Sequence, residues 1–143
     1  NSFLLLIGPN ELNKEEFKKL NELNNCFHLG FTNQINLLLP FAYCLILPSY
    51  REGFGSVIIE AAASKVPIIA TNIPGPKDFI NHMENGYLIN PKNSNEIKNG
   101  LDFYLKNEIL IKKFSNNAFK KCKRFFTEEY ICKLFLKEIL KDV

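Results

Sequence analysis

Short apolar runs alternate with amphipathic stretches along the first two thirds of the chain. Residues 3–7 are all apolar, a pattern typical of a strand buried on both faces, and similar runs at 44–47 and 67–71 predict two more strands. Residues 14–23 carry apolar side chains at helical spacing behind Asn13, a favourable N-cap. This alternation predicts a parallel sheet covered by helices.

The same rules predict the elements between these runs. A strand over residues 26–31 precedes a helix that carries Ile35, Leu38 and Leu39 and that ends or bends at Pro40. The remaining elements of this region are predicted as a helix over residues 55–64, one helical turn over 77–81 and a strand over 87–90.

The last third of the chain is predicted to be helical. One helix begins at Ser94 and directs Ile97, Leu101 and Leu105 inward. Two more helices are predicted over residues 108–125 and 127–141. The predicted fold class is therefore α/β, with a central parallel sheet and a helical C-terminal third. Because 143 residues suit one core, we expect residues 1–143 to form a single domain.

Composition limits the class of protein. Apolar residues make up 46% and charged residues 23% of the chain, as in soluble globular proteins. No apolar run approaches the roughly 20 residues that span a bilayer, and no stretch of the given sequence resembles a secretion signal. We expect a cytoplasmic protein, with a peripheral location at the inner face of the membrane as the alternative. The chain starts at Asn1 and enters a strand at once, so we expect a piece of a longer protein.

Cysteines and basic residues suggest few special functions. The four cysteines form no C-x-x-C pair and are predicted to be small buried residues in a reducing compartment: Cys26, Cys44, Cys122 and Cys132. The basic residues before the last helix are Lys112, Lys113, Lys120, Lys121, Lys123 and Arg124. They form either a solvated helix face or a contact with an anionic membrane. No nucleic-acid partner is expected, because no recognition motif or interleaved aromatic residues accompany them.

The sequence PSYREGFG, residues 48–55, joins a predicted strand to a predicted helix. Ligands of parallel α/β sheets bind beyond the carboxyl ends of the strands, where this turn lies. Gly53 and Gly55 allow the backbone to approach a ligand closely. The free N–H groups around Gly55, Ser56 and Val57 at the helix start carry partial positive charge. A diphosphate is the predicted ligand.

Two glutamates flank this helix start. Glu60 follows it by four or five residues, about 6–8 Å along the axis, which matches the offset between the diphosphate and the ribose of one nucleotide. Glu60 is therefore predicted to accept hydrogen bonds from the ribose hydroxyls of a nucleotide sugar. Glu52 is predicted to lie at the other end of the diphosphate and to face the donor sugar, the sugar attached there. A glutamate in a first helical turn is common for dipole reasons alone. The pair becomes specific only with Pro48–Ser49, the Gly-Phe-Gly turn, the Ala61–Ala63 run and the strand PIIAT.

These segments resemble retaining glycosyltransferases of family 4, in the GT-B superfamily. The resemblance rests on FLLLIGPN, FHLGF, CLILPSYREGFGSVIIEAAASKVPIIAT and NGYLINP, which occur in the family's order between residues 3 and about 105. It implies a Rossmann-like three-layer sandwich that binds a nucleotide sugar. It also implies an N-terminal acceptor domain and a basic Arg and Lys pair, both upstream of the first strand seen here, so this piece alone should transfer nothing.

The resemblance assigns roles to individual residues. Glu52 would lie at the donor sugar as the catalytic residue, and Glu60 would bind the ribose. The diphosphate would be held by backbone groups of Gly53, Phe54, Gly55 and Ser56. Residues 30–33 would seat the nucleobase.

The implied reaction is transfer of a hexosyl group from a nucleoside diphosphate sugar, UDP-sugar being expected, with retention of configuration. The acceptor would be a glycan or a lipid-linked acceptor, which would allow peripheral membrane contact. No Asp-x-Asp is present, so neither a cofactor nor an obligatory metal is expected. The alternatives are another GT-B enzyme, such as a sugar-nucleotide epimerase or a phosphorylase, and a non-catalytic interaction module.

Other polar residues are weaker candidates. Arg51 and Lys77 could reach a phosphate from the motif and from the Gly75–Pro76 loop, which should face the same cleft. His28 and His82 lack metal-ligand spacing and are predicted to be structural or exposed. Ser49 and Ser56 occur in no G-x-S-x-G context, so neither is predicted to be a hydrolase nucleophile.

Overall fold

A computed structural model describes residues 2–139, without the side chains at positions 134, 135, 138 and 139. The described chain forms two compact units that divide after Ile35. The prediction of a single domain over residues 1–143 stays a prediction. The last predicted helix reaches position 141, and its final two residues lie outside the described range.

The first unit is a strand, a helix and a strand: β1 (Leu4–Ile7), α1 (Lys14–Asn21) and β2 (Cys26–Gly30). The two strands are parallel, with Leu4 opposite Cys26. Asn13 caps α1 as predicted, because its side chain accepts hydrogen bonds from the N–H groups of Glu15 and Glu16. The Glu16 carboxylate accepts one from the Asn13 N–H in return.

The strand β1 is not buried on both faces, which corrects the prediction. Leu4, Leu5 and Ile7 are 46%, 44% and 36% exposed. Within the described residues, β1 pairs with β2 alone, so its other edge has no partner strand. An apolar run specifies a strand, but its burial depends on what lies beside that strand.

The second unit contains a parallel three-stranded sheet in the order β3-β4-β5. Its first element is the short helix α2 (Ile35–Leu38), which starts at the last residue of the first unit. A 3-10 turn that contains Pro40 follows and ends this helix, as predicted. The sheet and its connections are β3 (Leu45–Leu47), α3 (Ser56–Ala63), β4 (Ile68–Thr71), α4 (Pro76–Phe79) and β5 (Tyr87–Ile89). All four residues of the central strand β4 are buried.

Three helices complete this unit: α5 (Ser94–Lys106), α6 (Glu108–Phe125) and α7 (Glu128–Ile139). They confirm the predicted helical C-terminal third. The core against the sheet consists of Ile69, Ile89, Tyr104, Ile111 and Phe114. Together with the parallel strands, this arrangement confirms the α/β class.

Helix α5 packs through a different residue than predicted. Ile97 and Leu101 pack against the core as expected, but Leu105 is 61% exposed. Tyr104 takes the inward position and is fully buried. The Tyr104 hydroxyl donates to the Ile68 carbonyl oxygen at 2.7 Å, so the buried hydroxyl has a hydrogen-bond partner.

Cysteines and basic residues depart from prediction at single positions. Cys26 and Cys122 are buried and Cys44 is half-buried, but Cys132 is exposed, because it lies on an outer position of α7. Lys121 is half-buried and donates from Nζ to the Phe79 carbonyl oxygen at 2.6 Å, unlike a fully solvated lysine.

Among the described helices, none combines the length and apolar character needed to cross a membrane.

Candidate functional site

The turn from β3 into α3 is made by a glycine with left-handed backbone angles. Gly55 is the N-cap of α3, with φ 74° and ψ 63°. A side chain here would be strained, and a Cβ would lie 3.3 Å from Ile58 Cδ1. The amides of Gly55, Ser56 and Val57 donate to no acceptor in the described part of the chain. The helix therefore begins with free N–H groups, as the sequence predicts.

Glu52 is held by a short relay of hydrogen bonds from the core. Its Oε1 accepts from the Ser49 hydroxyl at 2.7 Å. The Ser49 carbonyl oxygen accepts from the Thr71 hydroxyl at 2.6 Å, and Thr71 is only 1% exposed at the end of β4. The sequence analysis used Ser49 as part of the motif and rejected it as a nucleophile, but it did not predict this contact. A hydroxyl three residues before an acid in a turn was the available signal for this contact.

A second loop abuts the same turn. Gly75, at φ 91°, packs so closely that a Cβ there would collide with the Gly53 carbonyl oxygen. The Gly75 N–H donates to Asp78 Oδ2 at 3.0 Å, which fixes the loop at the start of α4. The structure thus places the loop after β4 against the backbone of Glu52 and Gly53, as predicted for a loop that faces the same cleft.

Phe54 makes a side-chain contact that sequence reasoning missed. Its ring stacks on Phe126, with centroids 5.2 Å apart and planes at 30°. Phe126 in turn meets the buried ring of Phe79 edge-on, with centroids 5.4 Å apart. No sequence signal links Phe54 to Phe126, since the two residues are far apart along the chain.

The other predicted residues occupy defined places around the turn. Glu60 lies on α3, four residues or about 6 Å of axial rise after Ser56. Its half-buried carboxylate accepts no hydrogen bond from any described residue. Arg51 and Lys77 are exposed and form no ion pair within residues 2–139. The predicted nucleobase loop, residues 30–33, spans positions of the first unit.

A cavity of about 480 Å³ opens at the carboxyl ends of the three strands of the second unit. Its lining includes Pro48, Tyr50, Thr71, Asn90, Lys92 and Asn93. Glu96 braces one wall, because its carboxylate accepts from the Asn90 N–H at 2.6 Å and from the Asn93 amide at 2.8 Å. Hydrogen bonds from Asn90 lower the pKa of Glu96, so this brace is ionised at neutral pH. The cavity lies where α/β sheets bind ligands.

The histidines have structural partners, as predicted. His28 Nε2 lies 3.0 Å from the Gly8 carbonyl oxygen. His82 Nδ1 accepts from the Leu88 N–H at 2.9 Å and its ring packs on Tyr87. The expectation that no metal is obligatory stays a prediction.

Comparison with known proteins identifies the family. The model for "Glycosyl transferases group 1" matches residues 1–121. An uncharacterized glycosyltransferase of Haemophilus influenzae is 31% identical over 125 residues, which cover 86% of this chain and 34% of that protein. A 2-deoxystreptamine N-acetyl-D-glucosaminyltransferase of Niallia circulans is 40% identical over 87 residues, 59% of this chain and 22% of that protein. The chain thus spans 34% and 22% of the length of these two relatives.

Solved structures show the same fold. Anabaena Alr3699/HepE, crystallised with UDP, superposes with a TM-score of 0.86 at 23% identity over 99% of this chain and 41% of that one. A glycosyltransferase of Rickettsia africae superposes with a TM-score of 0.84 at 26% identity over 100% of this chain and 41% of that one. These likenesses confirm the predicted Rossmann-like α/β fold. The chain is a glycosyltransferase domain of the GT-B class and belongs to the group 1 glycosyl transferases.

Proposed function

We propose that this chain is the donor-binding domain of a retaining, family 4 glycosyltransferase that transfers a hexosyl group from a UDP-sugar. One observation carries the proposal. The Gly55 turn leaves the first N–H groups of α3 free, beside a glutamate, Glu52, that Ser49 holds in place. A helix start with free donors binds phosphate groups. Alr3699/HepE, a fold neighbour, has been crystallised with UDP and with UDP-glucose.

Each group at the turn has a role in this proposal. The backbone of Gly53, Phe54, Gly55 and Ser56 holds the diphosphate, and Glu60 accepts hydrogen bonds from the ribose hydroxyls. The free carboxylate of Glu60 has the capacity for both hydroxyls. Glu52 faces the sugar and the reacting centre.

The chemistry of the transfer is mainly electrostatic. When the bond between sugar and diphosphate breaks, negative charge grows on the departing diphosphate. Fixed N–H dipoles at the start of α3 stabilise this charge without rearranging during the step. Neither a cofactor nor an obligatory metal is part of this proposal.

The complete enzyme needs more than this chain. The relatives from Haemophilus influenzae and Niallia circulans are about three or more times as long as the region that they share with it. We assign acceptor binding and the basic partners of the diphosphate to an N-terminal domain of the same protein. The acceptor is a glycan or a lipid-linked acceptor, the latter placing the enzyme at the cytoplasmic face of a membrane.

Calorimetric titration of the full-length protein with UDP tests the donor site. Glu60→Ala should weaken UDP binding by about 1–3 kcal/mol, because it removes a charged acceptor for two hydroxyls. Glu129→Ala, at an exposed position of α7, is the control and should leave the affinity unchanged. Equal affinities for wild type and Glu60→Ala would remove Glu60 from the site.

A kinetic comparison tests the assignment of Glu52. Glu52→Gln should lower kcat with UDP-sugar far more than it weakens UDP binding, because Glu52 faces the sugar and not the nucleotide. A variant that loses UDP affinity but keeps its kcat would contradict that role.

A further inference from the structure

At the break between α6 and α7, an aromatic side chain packs against the loop that precedes α3, residues 48–55, which we call the donor loop. The Phe126 N–H still donates to the Cys122 carbonyl oxygen at 2.9 Å, but its φ of −128° ends the helix. Thr127 directly precedes α7, and its hydroxyl oxygen accepts from the Tyr130 N–H at 3.3 Å. Phe126 is thus the residue at which the chain changes helix, and its half-buried ring lies 5.2 Å from that of Phe54.

The far side of this ring has a rigid support. Phe79, against which Phe126 packs edge-on, is 0% exposed. The Phe79 carbonyl oxygen accepts from Lys121 Nζ at 2.6 Å and from the Asn85 amide at 3.1 Å. Phe79, Phe126 and Phe54 therefore form a column of three rings that runs from the core to the donor loop.

The loop needs this support at one particular residue. Phe54 lies between Gly53 and Gly55, the residue type with the greatest backbone freedom. The contact with Gly75 and the bond from Ser49 restrain positions 52 and 53 only. Among the described contacts, the stack on Phe126 is the restraint on the side chain of Phe54, which is itself 43% exposed.

We propose that Phe126 is a positioning residue for donor binding, which holds the backbone at positions 53–55 through the ring of Phe54. This inference rests on the proposed function of the loop. Ordering a loop at the moment of binding reduces affinity, whereas a loop ordered beforehand avoids that loss. The helical C-terminal third thereby contributes to nucleotide affinity without touching the nucleotide.

The test uses the full-length protein with three variants and one matched control. Phe126→Leu keeps apolar volume but removes the aromatic stack, and Phe126→Tyr restores the ring. Phe54→Leu removes the other partner. Phe119→Leu changes a half-buried phenylalanine of α6 that contacts Lys65 instead of the loop, so it controls for a general loss of stability.

Phe126→Leu should raise the dissociation constant for UDP and the KM for UDP-sugar about 2- to 10-fold, with a smaller change in kcat. Phe126→Tyr should restore both values, and Phe119→Leu should change neither. Phe126→Leu should have no further effect in a Phe54→Leu background, because the two rings act as one unit. Additive losses in the double variant, or equal losses in Phe126→Leu and Phe119→Leu, would overturn the proposal.

A measurement without ligand separates this proposal from the proposed function. Glycine labelled with nitrogen-15 should report larger fast motion of the Gly53 and Gly55 amides in Phe126→Leu than in wild type. Unchanged amide motion rejects the positioning role whatever the protein binds. If motion increases but neither wild type nor Glu60→Ala responds to UDP, the proposed function fails and the restraint by Phe126 stands as a feature of the loop.

Discussion

Two glycines of the same contact illustrate how much depends on single residues. Gly75 has φ 91°, and its α-carbon faces the Gly53 carbonyl oxygen with no room for a methyl group. Gly53 lacks a positive φ, and a Cβ there would meet nothing within 4 Å. The sequence shows both residues as glycines in loops, but only the structure distinguishes the sterically required one from the permissive one.

Replacing these glycines by alanine should therefore give opposite results. Gly75→Ala should lower the free energy of unfolding by about 2–4 kcal/mol, because it adds backbone strain and forces the two loops apart. Gly53→Ala should change it by less than about 0.5 kcal/mol. Denaturant unfolding of both variants checks this difference, and a Gly75→Ala variant as stable as Gly53→Ala would contradict the close packing.

Helix α5 is fixed to the central strand by one tyrosine. The Tyr104 hydroxyl donates to the Ile68 carbonyl oxygen inside the core, and burial raises the pKa of Tyr104 above its ordinary value. Helical spacing allowed either Leu105 or its neighbour to face inward, since both positions fall near the apolar stripe. Tyr104 occupies the inward position, where its hydroxyl donates to the buried carbonyl oxygen of Ile68.

Tyr104→Phe should destabilise the protein by about 0.5–1.5 kcal/mol, since it removes a buried hydrogen bond to the Ile68 carbonyl oxygen. The matched control is Tyr43→Phe, because Tyr43 is 51% exposed and its hydroxyl forms no hydrogen bond with a described residue. Thermal and denaturant unfolding of both variants provide the comparison. Similar losses from the two substitutions would show that the core hydrogen bond is not the cause.

For the whole molecule, the sequence predicts what is local and misses what is not. The motif turn, the cap Asn13 and the free N–H groups of α3 follow from residues within a few positions of one another. The stack of Phe54 on Phe126 and the contact of Gly75 with Gly53 join distant segments, and no periodicity encodes them. The residues of the candidate site were therefore predictable, but the long-range contacts that hold them in place were not.

The stability of the whole molecule should also depend on alkaline pH through Cys44. Burial raises the pKa of its thiol to about 11 from an ordinary value of 9.0. Between these values the unfolded chain loses the proton while the folded chain keeps it, so stability is full below pH 9 and falls as pH rises towards 11. The loss should reach up to about 3 kcal/mol. Unfolding measured from pH 8 to 11 should show a flatter profile for Cys44→Ala, and identical profiles would exclude this thiol as the source.

The unpaired edge of β1 has a practical consequence for work with this chain. Within residues 2–139 no strand pairs with this edge, and Leu4, Leu5 and Ile7 beside it are exposed. Such an edge is a template for intermolecular β-pairing. The purified 143-residue chain should therefore aggregate as its concentration rises. Leu5→Lys should suppress this in sedimentation experiments, since a charge on an edge strand deters further strands from adding. If both proteins stay monomeric, the edge is shielded in solution.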